Sequence, residues 1–171
     1  MALTKITTER FNKTIELYFK WKDLNLGIKE VYTRGVNLPE AITEPICCYV
    51  NDFLLSLGEG SEDAYDSRTN HQIQIKASSN FNSDLTSFGP KSSFDELHFV
   101  RLNSQNDIMY LYEIPLQDLY SIKMNANETF SEQQAQGRRP RFSIIKQYIE
   151  KFNIPAYAEV DLNAKAVFRN T

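Results

Sequence analysis

Disulfides and cysteine-built metal centres are the first things this sequence has no means to make. Its only cysteines are the neighbours Cys47 and Cys48, set in the apolar run Ile46-Cys47-Cys48-Tyr49-Val50. Adjacent cysteines rarely bridge each other, and a buried free thiol behaves as a small hydrophobe. No CxxC pair exists, so a zinc site of that kind is excluded. The two histidines, His71 and His98, come with no nucleophile motif, which leaves Ser–His and Cys–His catalysis without support. Apolar runs of the roughly 20 residues that a membrane span needs are absent. Met1-Ala2-Leu3-Thr4-Lys5 passes straight into polar sequence without a signal-peptide stretch, so a cytoplasmic protein with no membrane contact is expected. Internal repeats and low-complexity linkers are absent too. The 171 residues suit a single domain large enough to bury a core.

What is present is unevenly distributed. The formal net charge of −3 argues mildly against nucleic acid, yet its placement says more than its sum. Residues 1–36 carry seven Lys/Arg against four Asp/Glu, and residues 138–151 carry five against one. Between them, residues 37–66 hold seven carboxylates (Glu40, Glu44, Asp52, Glu59, Glu62, Asp63, Asp66) and no cationic side chain. An acidic centre between basic ends suits a carboxylate metal site flanked by phosphate-facing surfaces.

Hydrophobic spacing predicts a helix over about 7–24, with Thr7 and Thr8 as caps and with Gly27 and Thr33-Arg34-Gly35 interrupting or ending it. A second helix is predicted from Leu38-Pro39-Glu40 to Val50, capped by Asn37 and carrying Pro45 as a possible kink. The period then shortens. Phe53–Leu57 reads as a short strand or helix end, Gly58-Glu59-Gly60 as a turn, and a strand beginning near Ser61 is broken at 66–70. Gln72 to Ala77 alternates polar and apolar, as a half-buried strand does. Ser78–Ser93 reads as loop. Glu96–Leu102 and Ile108–Ile114 read as a hairpin pair, Pro115–Tyr120 as a short helix, 125–141 as a polar segment, Phe142–Phe152 as an amphipathic helix, and Tyr157–Leu162 as a last strand. The class is α/β, or α+β mixed: a central mixed sheet of about four strands flanked by helices.

The chemistry concentrates in Gln72-Ile73-Gln74-Ile75-Lys76. Positions i and i+2 of a strand face one way, so Gln74 and Lys76 point out together while Ile73 and Ile75 face the core. The turn 66–70 folds the segment bearing Asp63 back alongside them. A hard divalent ion needs one or two carboxylates plus further oxygens, and phosphodiester hydrolysis needs a cation near the attacking water or leaving oxygen. Asp63, Gln74 and Lys76 offer that set, with Asp66 a rival of Asp63 as ligand.

In Ser61-Glu62-Asp63-Ala64-Tyr65-Asp66, in Gln72-Ile73-Gln74-Ile75-Lys76-Ala77-Ser78 and in the strand Phe94–Leu102, the sequence resembles the PD-(D/E)xK nuclease superfamily, specifically its compact type II restriction endonucleases. The resemblance covers about residues 38–115 as a restriction-endonuclease-like core. It implies that Asp63 ligates Mg²⁺, that Gln74 holds the (D/E) position, and that Lys76 activates water or stabilises the transition state. It assigns the helix glutamate to Glu44, with Glu40 as alternative. Two departures stand out: Gln74 can ligate only through its carbonyl oxygen, and Glu62 precedes Asp63 where the motif has proline.

A second constellation, Glu132-Gln133-Gln134-Ala135-Gln136-Gly137-Arg138-Arg139-Pro140-Arg141, has the residue types that read bases. Arg pairs with guanine through O6 and N7, and Gln contacts adenine or phosphate. Gln133, Gln134, Gln136, Arg138, Arg139 and Arg141 are therefore expected at DNA, in a recognition unit over about 123–152 that includes the supporting helix. Lys123 and Asn125-Ala126-Asn127 would add backbone contacts. Ser78, Asn80 and Lys91, in the stretch after the catalytic strand, and Arg34 complete the expected DNA-facing set. His98, between Leu97 and Phe99, reads as structural.

The resulting expectation is a type II site-specific deoxyribonuclease acting as a homodimer on a short palindrome in double-stranded DNA. The resemblance points to G/C-containing sites interrupted by an unspecified base. A structure-selective repair or junction nuclease of the same fold, and a DNA-binding module without catalysis, are the competing readings.

Overall fold

The computed structural model describes residues 2–58 and 62–171. The expected Gly58-Glu59-Gly60 turn and the strand start at Ser61 therefore fall partly outside the described residues. The chain opens with β1 (Leu3–Lys5), α1 (Thr8–Val31) and α2 (Glu40–Asn51), followed by β2 (Leu54–Ser56), β3 (Ala64–Asp66) and β4 (His71–Ser78). After a tiny strand β5 (Thr86–Ser87) come β6 (Glu96–Asn103) and β7 (Ile108–Ile114). Short helices α3 (Leu116–Ser121) and α4 (Phe130–Ala135), strand β8 (Arg141–Phe142), a π-helical turn α5 (Ile145–Glu150), and strands β9 (Ala158–Asp161) and β10 (Ala166–Arg169) complete it.

Eight strands form one mixed sheet in the order β1-β2-β3-β4-β6-β7-β9-β10. Among the described residues only β4 and β6 pair in parallel, with Gln74 opposite Leu97 and Lys76 opposite Phe99. A parallel pair needs a crossover, and here it is the irregular stretch between Ser78 and Glu96. That stretch carries β5, which leaves the main sheet to pair with β8 (Thr86 opposite Phe142, Ser87 opposite Arg141).

The alternation of β6 shows why both faces of the sheet are covered. Val100 and Leu102 enter one cluster with Phe11, Ile15, Tyr18, Ile42 and Ile46 from α1 and α2; Leu97 and Phe99 enter a second with Phe88, Phe130, Phe142, Ile145 and Ile149. Each fully buried side chain of this size contributes roughly 1.5–3 kcal/mol. Polar anchors fix α1: Tyr18 donates to Asp107 at 2.7 Å, and Lys22 pairs with the same carboxylate at 2.6 Å.

Several boundaries differ from the sequence reading, each for a local reason. Gly27 does not end α1, which continues to Val31 with Gly27 exposed on its surface. Pro39 is itself the N-cap of α2, with no side-chain cap. The supposed polar segment contains α4, started by a capping box in which Thr129 accepts from the Glu132 N–H and Glu132 accepts from the Thr129 N–H. Phe142 lies in β8, and helical structure begins after it; Phe152 is 57% exposed rather than part of a buried stripe. The sheet holds eight strands where about four were expected, extended by the edge strands β1 and β10 and by β2 beside β1.

Candidate active site

The site forms where β3 and β4 part. Asp63 sits just before β3, its N–H donating to the Ile73 carbonyl at 3.0 Å. Beyond that point β4 runs on to Ser78, flanked on its other edge by β6. The Ile75 N–H, just past the divergence, donates to the Asp63 carboxylate at 2.7 Å. The Gln74 side-chain amide donates to the same carboxylate oxygen. An ionised carboxylate only accepts, so the amide nitrogen must face Asp63 and the carbonyl oxygen is turned away from it. Ile73 and Ile75 enter the α1/α2 cluster as the alternation requires. Lys76, on the other face, extends its ammonium to 5.6 Å from the centre of the Phe88 ring.

The opening continues as a cleft of about 580 Å³, lined by Glu40 and Thr43 of α2, by Ile75–Ser78 of β4 and by part of the 79–87 stretch. Burial is the largest influence on the Asp63 carboxyl and raises its pKa, against the Ile75 hydrogen bond and the Lys76 charge, which lower it. Burial likewise pushes the half-buried Glu44 carboxyl up to about 8, with Asp63 and Glu40 adding to the rise and Lys76 opposing it. Glu44 feels the neighbouring carboxylates more than it feels Lys76, an electrostatic state that a divalent ion relieves. Among the described residues no three carboxylate, histidine or cysteine side chains converge tightly enough to hold an ion alone. The donor set fits a hard ion nevertheless: one carboxylate at Asp63, the Gln74 carbonyl oxygen and the nearby Glu44 leave the remaining positions to water and phosphate oxygens.

The rivals separate. Asp66 is committed elsewhere, accepting from the Arg68 backbone and forming a bidentate pair with its guanidinium at 2.9 Å to each oxygen. That pairing with Arg68 holds its pKa below the usual carboxylate range. Glu40 is exposed one turn before Glu44 and lines the cleft. His98 is a satisfied structural histidine, with its ring nitrogens 2.8 Å from Tyr157 Oη and 3.2 Å from Glu96 Oε2. Cys47 and Cys48 are buried free thiols, and burial raises both.

The expected DNA-facing residues divide as well. Arg139, Arg141 and Gln136 are exposed around the turn that follows α4 and on β8. Arg138 is ion-paired with Glu128, whose carboxyl that bond drives down to about 2. Gln133 donates to Glu128 at 3.3 Å, and Gln134 donates to the Gly89 carbonyl at 2.9 Å. Ser78 corrects the expectation: it is buried, with Oγ donating to the Asn80 and Ser83 carbonyls and accepting from the Asn80 N–H. It braces the loop. Asn80, Lys91 and Arg34 remain exposed.

One residue escaped the sequence reading altogether. Asp84, in the cleft wall, accepts from Thr86 Oγ1, from Ser143 Oγ and from the Ile144 and Ile145 N–H groups, at 2.5–3.0 Å. With the β5–β8 pairing and the Phe88 N–H donating to the Pro140 carbonyl at 3.0 Å, it clamps the stretch after β4 to the arginine segment. An Asp within a Ser/Asn-rich stretch is an ordinary loop residue by sequence, and all its partners but Thr86 lie about 60 residues away.

Comparison with known proteins places this geometry in a family. The model of the Bsp6I restriction endonuclease family matches residues 6–151. The type II restriction enzyme Bsp6I of Bacillus sp. (strain RFL6) is 44% identical over 167 residues, covering 96% of this chain and 95% of that protein. No solved structure matches. The parted strands at Asp63 and Gln74, the adjoining arginine segment and a match spanning nearly the whole chain lead to one assignment: the chain belongs to the Bsp6I restriction endonuclease family.

Proposed function

We propose that this protein is a type II restriction endonuclease that hydrolyses phosphodiester bonds at a short palindrome in double-stranded DNA, with Mg²⁺ as cofactor and as a homodimer. The observation that carries the site assignment is the shared hydrogen bonding of Asp63, Gln74 and Ile75 where β3 and β4 diverge, with Lys76 and Glu44 beside it. Family membership over most of the chain supports the activity.

Asp63 would hold the ion, joined by the Gln74 carbonyl oxygen once that amide turns over from its present hydrogen bond to Asp63. When bound, a divalent cation supplies Lewis acidity and offsets the charge that builds on the phosphate. Lys76 presents an ammonium on the same stretch of β4, placed to orient the attacking water and to stabilise negative charge on the phosphoryl oxygens. Glu44, buried and near Asp63, is placed to accept a hydrogen bond or a proton from water in the cleft. Exposed Arg139 and Arg141, clamped to the cleft wall by β5–β8 and Asp84, are the side chains best placed to read guanine, in keeping with a G/C-containing, interrupted site. A two-fold target calls for two such subunits, one active site for each strand. The recognition unit takes in residues 123–152 and the catalytic core 38–115, within one nuclease domain of 1–171. Among the described residues no helix is long and apolar enough to cross a membrane.

Incubation of purified protein with a plasmid of known sequence and Mg²⁺ tests the reading. Discrete fragments that EDTA abolishes are expected. Random nicking, or no cleavage at any divalent ion concentration, would overturn it.

A further inference from the structure

A second groove, of about 740 Å³, adjoins the catalytic cleft and shares Asn37, Ser79 and Asn80 with it. Its far wall is the C-terminal part of α1 and the turn after it, including Asn25, Lys29 and Arg34; its near wall is Asn82 and the β6–β7 turn with Asn103 and Gln105. Among the described residues that line it are two cations and six side-chain amides, and no carboxylate. In a chain of net charge −3 a lining with cations and no carboxylate stands apart, and its composition is that of a phosphate- and sugar-binding track.

The walls are built to hold their shape. A Cβ at Gly35 would overlap the Asn25 amide oxygen and crowd the Lys29 side chain, so a larger residue there must displace the Asn25 side chain from its place. The Asn25 oxygen accepts the Val36 N–H at 2.8 Å, and Trp21 Nε1 donates to the Val36 and Asn37 carbonyls. Across the groove, Arg101 stacks 3.9 Å from the centre of the Phe81 ring and donates to the Phe81 carbonyl at 2.7 Å. Ser78 fixes the same loop from below. Lys29, Arg34 and Asn82 are exposed on this rigid frame, so their charge and hydrogen bonds are available to a ligand.

We propose that this groove binds the sugar-phosphate backbone of duplex DNA outside the cleaved step, through Lys29 and Arg34 with the Asn82 and Gln105 amides beside them. The inference rests on the nuclease reading and extends it to a sequence-independent contact on the α1 side of the cleft. Amides and cations without carboxylates contact phosphates without distinguishing bases. The groove therefore adds affinity for flanking DNA and leaves the choice of site to other residues.

The test is binding of the full chain in EDTA, where no cutting occurs, to 12- and 30-base-pair duplexes of arbitrary sequence, followed by anisotropy across a salt series. Removing two phosphate contacts in the Lys29→Ala/Arg34→Ala double variant lowers the salt slope by about 2 and weakens 30-mer binding on the order of tens-fold at about 0.1 M salt. The 12-mer, roughly 40 Å long at about 3.4 Å per base pair, also reaches a groove that adjoins the cleft and weakens in the same direction. Asn82→Asp, which adds one negative charge at an exposed position, weakens the 30-mer in the same way. Both variants should retain the wild-type melting temperature. Wild-type affinity and slope in the two variants would overturn the proposal. Plasmid cleavage by the wild-type protein in Mg²⁺ is scored separately. If it cuts while the slopes do not change, the groove assignment alone falls. If it does not cut, the nuclease reading falls and the slopes still decide the groove.

Discussion

Replacing Gln74 by glutamate tests the centre of the site, because the change has opposite consequences with and without metal. In the present structure Asp63 Oδ2 accepts from both the Gln74 amide and the Ile75 N–H. Gln74→Glu removes one donor and sets a second carboxylate against the first. At roughly 3 Å and an effective dielectric of about 20, two unit charges repel by about 5 kcal/mol, an upper bound for a partly solvated pair. The pair avoids most of that by sharing a proton, as closely spaced acids do, so the net cost in EDTA at pH 8 falls to about 1–3 kcal/mol. For a chain of this size that is a decrease of roughly 2–12 °C in melting temperature.

Mg²⁺ reverses the sign. The variant offers two carboxylates where the wild type offers one and a neutral carbonyl, so its affinity for a hard ion rises. Ligand binding to the native state stabilises by RT ln(1 + [L]/Kd), and a tenfold tighter site adds about 1.4 kcal/mol at saturating ion. Differential scanning calorimetry in EDTA and in a Mg²⁺ series measures both effects in one preparation. The variant should start below the wild type and gain more from each increment of Mg²⁺. Equal melting temperatures in EDTA, together with an unchanged Mg²⁺ response, would show that the Gln74 side chain neither faces Asp63 nor meets the ion.

The other expectations follow from single contacts. Lys76→Ala should slow plasmid cleavage at least about a hundredfold while gel-shift binding in EDTA persists, since the site loses a charge that acts on the phosphate and keeps its fold; a variant cutting at the wild-type rate would remove Lys76 from the mechanism. Glu44 carries a pKa raised from 4.5 to about 8, so the folded metal-free protein binds this proton more tightly than the unfolded chain does. Stability in EDTA should therefore be fully present below pH 4.5, fall as pH rises towards 8 and then level off, by a few kcal/mol after discounting for solvent screening. Glu44→Gln should flatten that pH profile, and a Gln variant that kept the wild-type decline would refute the assignment. Asp84→Ala removes the acceptor for two backbone N–H groups and two hydroxyls, and should cost about 1–3 kcal/mol. Amide exchange should speed up in residues 84–89 and 141–145 without change in α1, and uniform loosening would count against a local clamp.

Much of the site was legible because its elements are written in local patterns. Period-2 alternation in 72–77 sets Gln74 and Lys76 apart from Ile73 and Ile75, and the two isoleucines do join the α1/α2 cluster, whereas Gln74 is buried too, drawn in by its hydrogen bond to Asp63. The hydrophobic runs of β6 and β7 are long enough to identify their hairpin. The missed pieces depend on distant partners. The edge strands β1 and β10 are only three and four residues long, and their pairing comes from the sheet they join rather than from their own pattern. Phe142 fits a helical apolar stripe by spacing, but pairing with Thr86 draws it into β8. The Thr129/Glu132 capping box was an available signal, since Thr-x-x-Glu marks a helix start even inside polar sequence.

The arginine segment gains its meaning from the same long-range contacts. As sequence, Arg138, Arg139 and Arg141 are equivalent; in the fold Arg138 is spent on Glu128, while Arg139 and Arg141 remain exposed. Arg141 lies opposite Ser87, a residue of the cleft wall, and Asp84 joins the same wall to the start of α5. A base contact made by Arg141 is thus linked to Lys76 through Ser87 and its neighbour Phe88, whose ring centre lies 5.6 Å from the Lys76 ammonium. Movement of the reading segment on cognate DNA must carry that wall with it, because the Asp84 hydrogen bonds and the β5–β8 pair leave no slack between them. Uncoupling the two, as Asp84→Ala does, should therefore lower kcat on the preferred site more than it lowers binding to it. An equal loss in both would mean that the clamp serves stability alone.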